Sequence, residues 1–426
     1  MENVMDAGRT AVAAPPPAIW TRHKLGVISL LWFGWYIGCV DRTIIYFAAP
    51  FMIREFHLTA TQMGIIMSAF FAGYALMQVP GGVLADRFGP RKVFLWVVFV
   101  WSLFTGVTGL TYGFAAMVLV RFLFGLSEAP YQMAAGKTIA MTFHRSERGK
   151  AASIMLSSAG FVAFVGPMLA AVLIGSFSWR FPFIATAVFG VVIIALFFMY
   201  MKPRNDYAYE TRAVVASEQA IDSFSYRKVF SIPMIWSLVL AAFASYTLVW
   251  GMGSWMPTYF MKTLGLNIAK TGIWQTWPGL GILVGLLGSG FIIDRLSDRQ
   301  NKIVAILCAG LSTLALYILF RGGIGIKTIV AIQTFVNLAM GFVQIYMPVL
   351  LYKKIPVNYL GRTNGIINAA AQFGAFFAPL SMGLITDLSG GRLAASFIYL
   401  VVTGAITTVA FLTLRTDVEH YVTRQV

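Results

Sequence analysis

Twelve predominantly apolar runs follow one another along this 426-residue chain, each about 18 residues or longer and able to cross a hydrocarbon core of about 30 Å. Inside a bilayer every backbone N–H and C=O must find its partner within the protein, so runs of this length predict helices. Charged residues make up only 11% of the chain, against about 25% in ordinary soluble domains, too few to cover a water-exposed surface. The expected fold is an all-α polytopic membrane protein. The one long polar connection, Met201–Ser231, divides the runs six and six and predicts two six-helix bundles. The resulting organisation is an N-terminal tail over 1–24, a first bundle over 25–201, a linker over 202–232, a second bundle over 233–414 and a C-terminal tail over 415–426.

The net charge of +16 raises a nucleic-acid reading, which its placement excludes. Most of the 32 lysines and arginines fall in the tails and in every second connection, the bias that marks cytoplasmic segments. Both termini are therefore expected in the cytoplasm. No Asn-x-Ser/Thr sequon occurs and the outer connections are short, which points to a plasma membrane of bacterial type, the inner membrane. The first apolar run is too long for a cleaved leader. Cys39 and Cys308 both sit in spans and are expected to serve packing, with no disulfide framework. No metal-ligand set, cofactor motif or nucleophile constellation appears, so neither an enzyme nor a cofactor is expected. A monomer is the expected working unit.

Asp41, Arg42, Arg121 and Glu128 are the ionisable residues placed well inside the spans. A charge at the bilayer centre costs roughly 2.5–3.5 kcal/mol on insertion scales, so these four mark a substrate or proton path. Arg121 and Glu128 lie two helical turns apart and share a face of the fourth helix, predicted over 114–140. Low dielectric favours a neutral carboxyl and a nearby guanidinium favours a charged one, a balance suited to a proton-coupling Glu128. Asp41 and Arg42 point about 100° apart. The expected arrangement turns Arg42 to the central cavity as anion ligand, its planar fork matching a carboxylate, and Asp41 to the neighbouring helices as a second proton site. Arg121 is the alternative anion ligand. In the second half Asn364, Asn368 and Gln372 form one stripe of helix 11, and Gln275, Tyr246, Trp250, Gln344 and Tyr346 add polar or aromatic groups. Trp255, Trp274 and Trp277 are expected as interfacial anchors.

The halves repeat. Gly82-Val-Leu-Ala-Asp86-Arg87-Phe-Gly89-Pro-Arg91-Lys92 follows helix 2, and Gly290-Phe-Ile-Ile-Asp294-Arg295-Leu-Ser-Asp298-Arg299 follows helix 8. Arg148-Gly149-Lys150 is echoed by Leu360-Gly361-Arg362. Repeated halves with a binding site between them describe a secondary transporter. These motifs and the layout resemble the major facilitator superfamily. Asp41-Arg42, Tyr74-x-x-x-Gln78-x-Pro80-Gly81-Gly82, Arg121 with Glu128, and Trp255-Met-Pro257-Thr258-Tyr259 look like its anion:cation symporter family. Many sugar-acid members carry a Tyr where this chain has Cys39.

The resemblance implies a symporter that imports a small organic anion, a sugar acid or other carboxylate, with protons, and Asn368 as a contact for substrate hydroxyls. Tyr74 and Gln132 are expected to assist Arg42. The glycines Gly82 and Gly89 are expected to allow close helix contact, and Asp86, Arg87, Arg91, Asp294 and Arg295 to pair when the cytoplasmic side closes. Rival readings are an organophosphate antiporter, a drug antiporter and a non-transporting membrane sensor. The first lacks its second clamp, since Ile232 to Phe260 contains no Lys or Arg.

Overall fold

In the computed structural model, which describes residues 20–144, 147–201, 230–355 and 357–416 (backbone alone at 357–359, 361 and 362), the apolar runs are helices. Of the expected tails over 1–24 and 415–426 and linker over 202–232, residues 1–19, 417–426 and 202–229 lie outside the described residues, as does the side chain of Arg362. Twelve helices are long and apolar enough to span a membrane, and no strand occurs among the described residues. The first six are α1 (Arg22–Glu55), α2 (Ala60–Phe88), α3 (Pro90–Leu110), α4 (Phe114–Thr142), α5 (Arg148–Ser176) and α6 (Phe181–Tyr200). The second six are α7 (Pro233–Lys262), α8 (Ile268–Ile293), α9 (Asp298–Arg321), α10 (Ile326–Lys354), α11 (Val357–Leu388) and α12 (Leu393–Leu412).

Local chemistry sets several of the boundaries. Thr59 and Ser297 close capping boxes with Gln62 and Gln300 at the starts of α2 and α9. Between α2 and α3 the chain turns on Gly89, whose φ of 79° a Cβ would resist, and Pro90 then starts α3 where its missing N–H is harmless. The fourth helix runs through as the sequence predicts, with Ala129, between Phe114–Glu128 and Pro130–Thr142, keeping helical φ and ψ of −54° and −41°. Pro130 supplies no N–H and its ring crowds the preceding turn, so one helical hydrogen bond is missing there. Glu128 thus sits beside a weakened turn at the middle of its span.

The halves meet through α2 against α11, α5 against α8, and α1 against α7, while α3 with α6 and α9 with α12 pack on the outside. At one end this interface is tight. Asp387 of α11 accepts hydrogen bonds from the backbone N–H groups of Ala60 and Thr61 at 3.0 and 2.7 Å, and so caps α2 across the interface. Ser68 donates to the Phe376 carbonyl at 2.6 Å. On the other side Gly279 of α8 lies against the Ala163 carbonyl of α5, where a Cβ would collide. Trp255, expected as an interfacial anchor, is instead 1% exposed and donates its indole N–H to the Pro379 carbonyl at 3.0 Å, tying α7 to α11. Indole N–H groups buried in apolar surroundings need such a partner.

The other end, where the Gly82–Lys92 motif lies, is splayed. Val79, Leu156 and Leu287 continue the faces that are buried between the halves at the tight end, yet are exposed here. Asp86 pairs with Lys137 of α4 at 2.7 Å, and Asp298 pairs with Lys354 of α10 at 2.8 Å, each inside its own half. Gly82 makes no close approach, with nothing within 4 Å of where its Cβ would be, and Gly81 packs on Pro130 instead. Arg91 donates to the Phe198 carbonyl at 3.0 Å and Arg87 stacks on Phe88, while Asp294 and Arg295 are exposed.

Candidate functional site

Between the halves lies a cavity of about 370 Å³ lined from α1, α2, α4, α5, α7, α8, α10 and α11. Of the residues singled out from the sequence, Arg42, Tyr74, Gln132, Tyr246, Gln344 and Asn368 line it, joined by Trp250, Gln275 and Gln372. Arg42 is the single charged residue on its wall among the described residues.

The four intramembrane charges form two crossed pairs. Arg42 Nη2 donates to Glu128 Oε1 at 2.7 Å, and Arg121 Nη1 donates to Asp41 Oδ2 at 2.7 Å. Sharing a face of α4 does not bring Arg121 to Glu128, because α1 lies alongside and places Arg42 on the carboxylate first. The two pairs differ in access. Asp41 and Arg121 are each 1% exposed and lie off the cavity wall, whereas the Arg42 side chain is 11% exposed with Glu128 at 0% behind it. The guanidinium of Arg42 also rests against the rings of Trp35, Phe70 and Tyr74, with centroids 5.2, 4.7 and 5.1 Å away. Cation–π contact of this kind holds a desolvated charge in place without neutralising it. Glu128 reaches its position because Gly38 leaves room, since a Cβ there would stand 2.8 Å from Oε1. Its second oxygen, Oε2, has no hydrogen-bond partner.

Tyr74 donates its hydroxyl to Gln132 Oε1 at 3.1 Å, joining α2 to α4 beside Arg42. Asn368 of α11 donates to Gln78 of α2 at 2.9 Å, a bond between the halves on the cavity's edge. Two expected ligands stand elsewhere. Arg121 is sealed against Asp41, and Asn364 is exposed and does not line the cavity. Cys39, expected as a packing residue, lines the cavity one turn before Arg42, and Tyr346 is buried against Phe342 and Phe411 rather than facing it.

The sequence reading missed Gln333 and Asn337 of α10. Their signal is present in the chain, for Gln333, Asn337 and Gln344 recur at helical spacing on one face of an otherwise apolar span. Gln275 and Gln333 bind each other reciprocally, Nε2 to Oε1 in both directions, at 3.1 and 2.9 Å. Asn337 donates to the Pro278 carbonyl at 3.0 Å.

Two six-helix halves around a central cavity, with a buried charge network on one wall, are the architecture of a membrane transporter. The chain belongs to the Major Facilitator Superfamily, whose sequence profile matches residues 31–379. That family consists of transporters and not enzymes. The chain is 26% identical over 385 residues to the hexuronate transporter of Bacillus subtilis (strain 168), covering 87% of this chain and 90% of that protein. It is 27% identical over 426 residues to the D-galactonate transporter of Escherichia coli O6:H1, covering 94% and 97%. It is also 27% identical over 396 residues to a probable galactarate/D-glucarate transporter of Escherichia coli (strain K12), covering 85% and 88%. The crystal structure of a D-xylose-proton symporter superposes with a TM-score of 0.78 at 17% identity, covering 92% of this chain and 97% of that one. A bacterial homolog of the human lysosomal transporter Spinster, inward-facing and unoccupied, gives 0.77 at 17%, covering 92% and 98%. At these identities the structural likeness shows a shared fold.

Proposed function

We propose that the protein is a proton-coupled symporter that imports a small organic anion, a sugar acid or related carboxylate, by alternating access across a bacterial plasma membrane. It works as a monomer, with both termini and the splayed end of the cleft in the cytoplasm. The observation that carries the reading is the Arg42–Glu128 pair at the cavity wall. A guanidinium held by an ionised carboxylate is a poor partner for a second carboxylate. When a proton neutralises Glu128, Arg42 keeps its charge and its planar fork is free to bind a substrate carboxylate. Each binding event therefore favours the other. Loss of the substrate into the cytoplasm restores the Arg42–Glu128 attraction and drives the proton off. Asp41, held by Arg121 away from the cavity, is the second proton site, and its protonation loosens α1 from α4.

Tyr74 and Gln132 orient the substrate carboxylate on Arg42, and Asn368, with Tyr246 and Gln344, offers hydrogen bonds from the opposite half. The sugar-acid relatives support this class of substrate. Closure of the splayed end brings the Gly82–Lys92 motif towards the second half, where Asp86 exchanges its Lys137 partner for groups across the interface. The decisive experiment is Glu128→Gln in proteoliposomes. Binding and substrate exchange between two loaded compartments should persist, while uphill uptake driven by a pH gradient should be lost. Wild-type accumulation by that variant would exclude Glu128 from coupling.

A further inference from the structure

On the part of the cavity wall that the second half contributes, whereas Arg42 belongs to the first, stands a feature that proton coupling does not use, the reciprocal pair of Gln275 and Gln333. Both side chains line the cavity, and the residues are only 6% and 2% exposed. A primary amide carries two N–H donors and two acceptor lone pairs. The mutual bonds use one donor and one lone pair of each. The pair thus forms a rigid plate with one N–H and one lone pair left on each amide, and no net charge. Carboxylates accept only, whereas hydroxyls both donate and accept, so the plate matches hydroxyls. Buried polar groups that a ligand must satisfy discriminate strongly against analogues lacking the matching group.

Its depth fits the other end of the same ligand. Counted from the tight end at about 1.5 Å per residue, Gln275 lies roughly 10 Å from Ile268 and Arg42 roughly 20 Å from Glu55. The two thus differ by roughly 10 Å in depth, the order of an extended six-carbon acid together with the hydrogen bonds at its two ends. With Arg42 the single charged wall residue among those described, a second carboxylate at the tail would meet amides and no cation.

We propose that the Gln275–Gln333 plate is the tail subsite for a polyhydroxylated monocarboxylate, and that it selects such acids over both diacids and bare alkanoates. This rests on the carboxylate-binding role given to Arg42. The test measures binding to the purified full chain in detergent by calorimetry, with D-galactonate and D-gluconate as hydroxylated monoacids. Galactarate supplies a second carboxylate, and hexanoate has the same length without hydroxyls. The better aldonate should bind at least tenfold more tightly than either galactarate or hexanoate. Replacing both amides together, as Gln275→Leu with Gln333→Leu, leaves neither buried amide without a partner. That double variant should lower aldonate affinity at least tenfold and leave hexanoate unchanged. Equal binding of aldonate and hexanoate by the wild type overturns the subsite even if the double variant does not fold, and so does an unchanged preference in the double variant. If no acid binds the wild type, or if Arg42→Ala leaves every affinity intact, the carboxylate reading itself has failed and the subsite falls with it.

Discussion

Arg42 and Arg121 carry the same charge a few ångströms from carboxylates, yet their surroundings assign them different work. Removing Arg121 strands Asp41, 1% exposed, without its counter-charge, and breaking a buried pair in this way costs about 3–5 kcal/mol. Arg121→Ala should therefore lower the melting temperature in detergent markedly, whereas Arg42→Ala opens the cavity wall so that water can reach the Glu128 carboxyl it uncovers, and should destabilise less while abolishing transport. Arg42→Lys keeps the charge but loses the two-pronged fork, so anion affinity should fall about tenfold or more while the fold is retained. Equal melting temperatures for the two alanine variants would contradict this division. Gly38 permits a subtler test. The methyl of Gly38→Ala would stand 2.8 Å from Glu128 Oε1 and push the carboxylate off Arg42. Proton-driven uptake should drop relative to substrate binding, measured on the same preparation.

Among the elements, α2 and α11 form a latch at the tight end, because Asp387 supplies the cap that the first N–H groups of α2 would otherwise lack. Asp387→Ala should release that end. Hydrogen–deuterium exchange should quicken over residues 60–64 and slow over 79–86 as the population shifts towards the opposite state. Unchanged exchange at both places would show that the cap does not select between states. A second tie, between Lys24 at the start of α1 and Glu147 in the α4–α5 connection, measures 2.6 Å. The hydrogen bond from Lys24 holds the Glu147 carboxyl below its ordinary range. A carboxyl depressed on folding contributes stability above its unfolded value, about 4.3, and loses it as pH falls through its folded value. Glu147→Gln should thus destabilise near neutral pH, and its difference from wild type should vanish once the medium is acid enough to protonate the folded carboxyl.

For the whole molecule, the question is what drives the two halves around the cavity. A symporter needs only the ion gradient, whereas an antiporter needs a counter-substrate. In proteoliposomes an inward proton gradient should drive accumulation of the organic anion with nothing loaded inside, and a protonophore should collapse it. Internal phosphate should not restore it. The absence of Lys and Arg from Ile232 to Phe260, with Arg42 the single charged wall residue among those described, is the physical reason to expect this. Rescue by phosphate would point to exchange and would remove the coupling roles given to Asp41 and Glu128. Each elementary charge moved across the membrane is worth about 2.3 kcal/mol per 100 mV, so uptake with more than one proton per carboxylate should also respond to an imposed potential.

The sequence by itself determined the twelve spans, their division into two halves and the four charges in the first bundle, because hydrophobic length and the scarcity of charge act along the chain. Helical period also decided that Asp41 and Arg42 face different ways. What it did not decide is how each helix is rotated and how deep it sits against its neighbours. That rotation gave Glu128 to Arg42 rather than to Arg121, drew Trp255 into the interior, and brought Gln275 and Gln333 from separate helices into one plate. It also left Asn364 outside the cavity. The choice of tight end lay beyond the sequence for a related reason. Asp387 and the motif around Asp86 each have a local chemistry that the chain reveals, but which of them has its partner across the interface depends on the arrangement of both halves at once. Pairing across an interface is a property of packing, and no single helix encodes it.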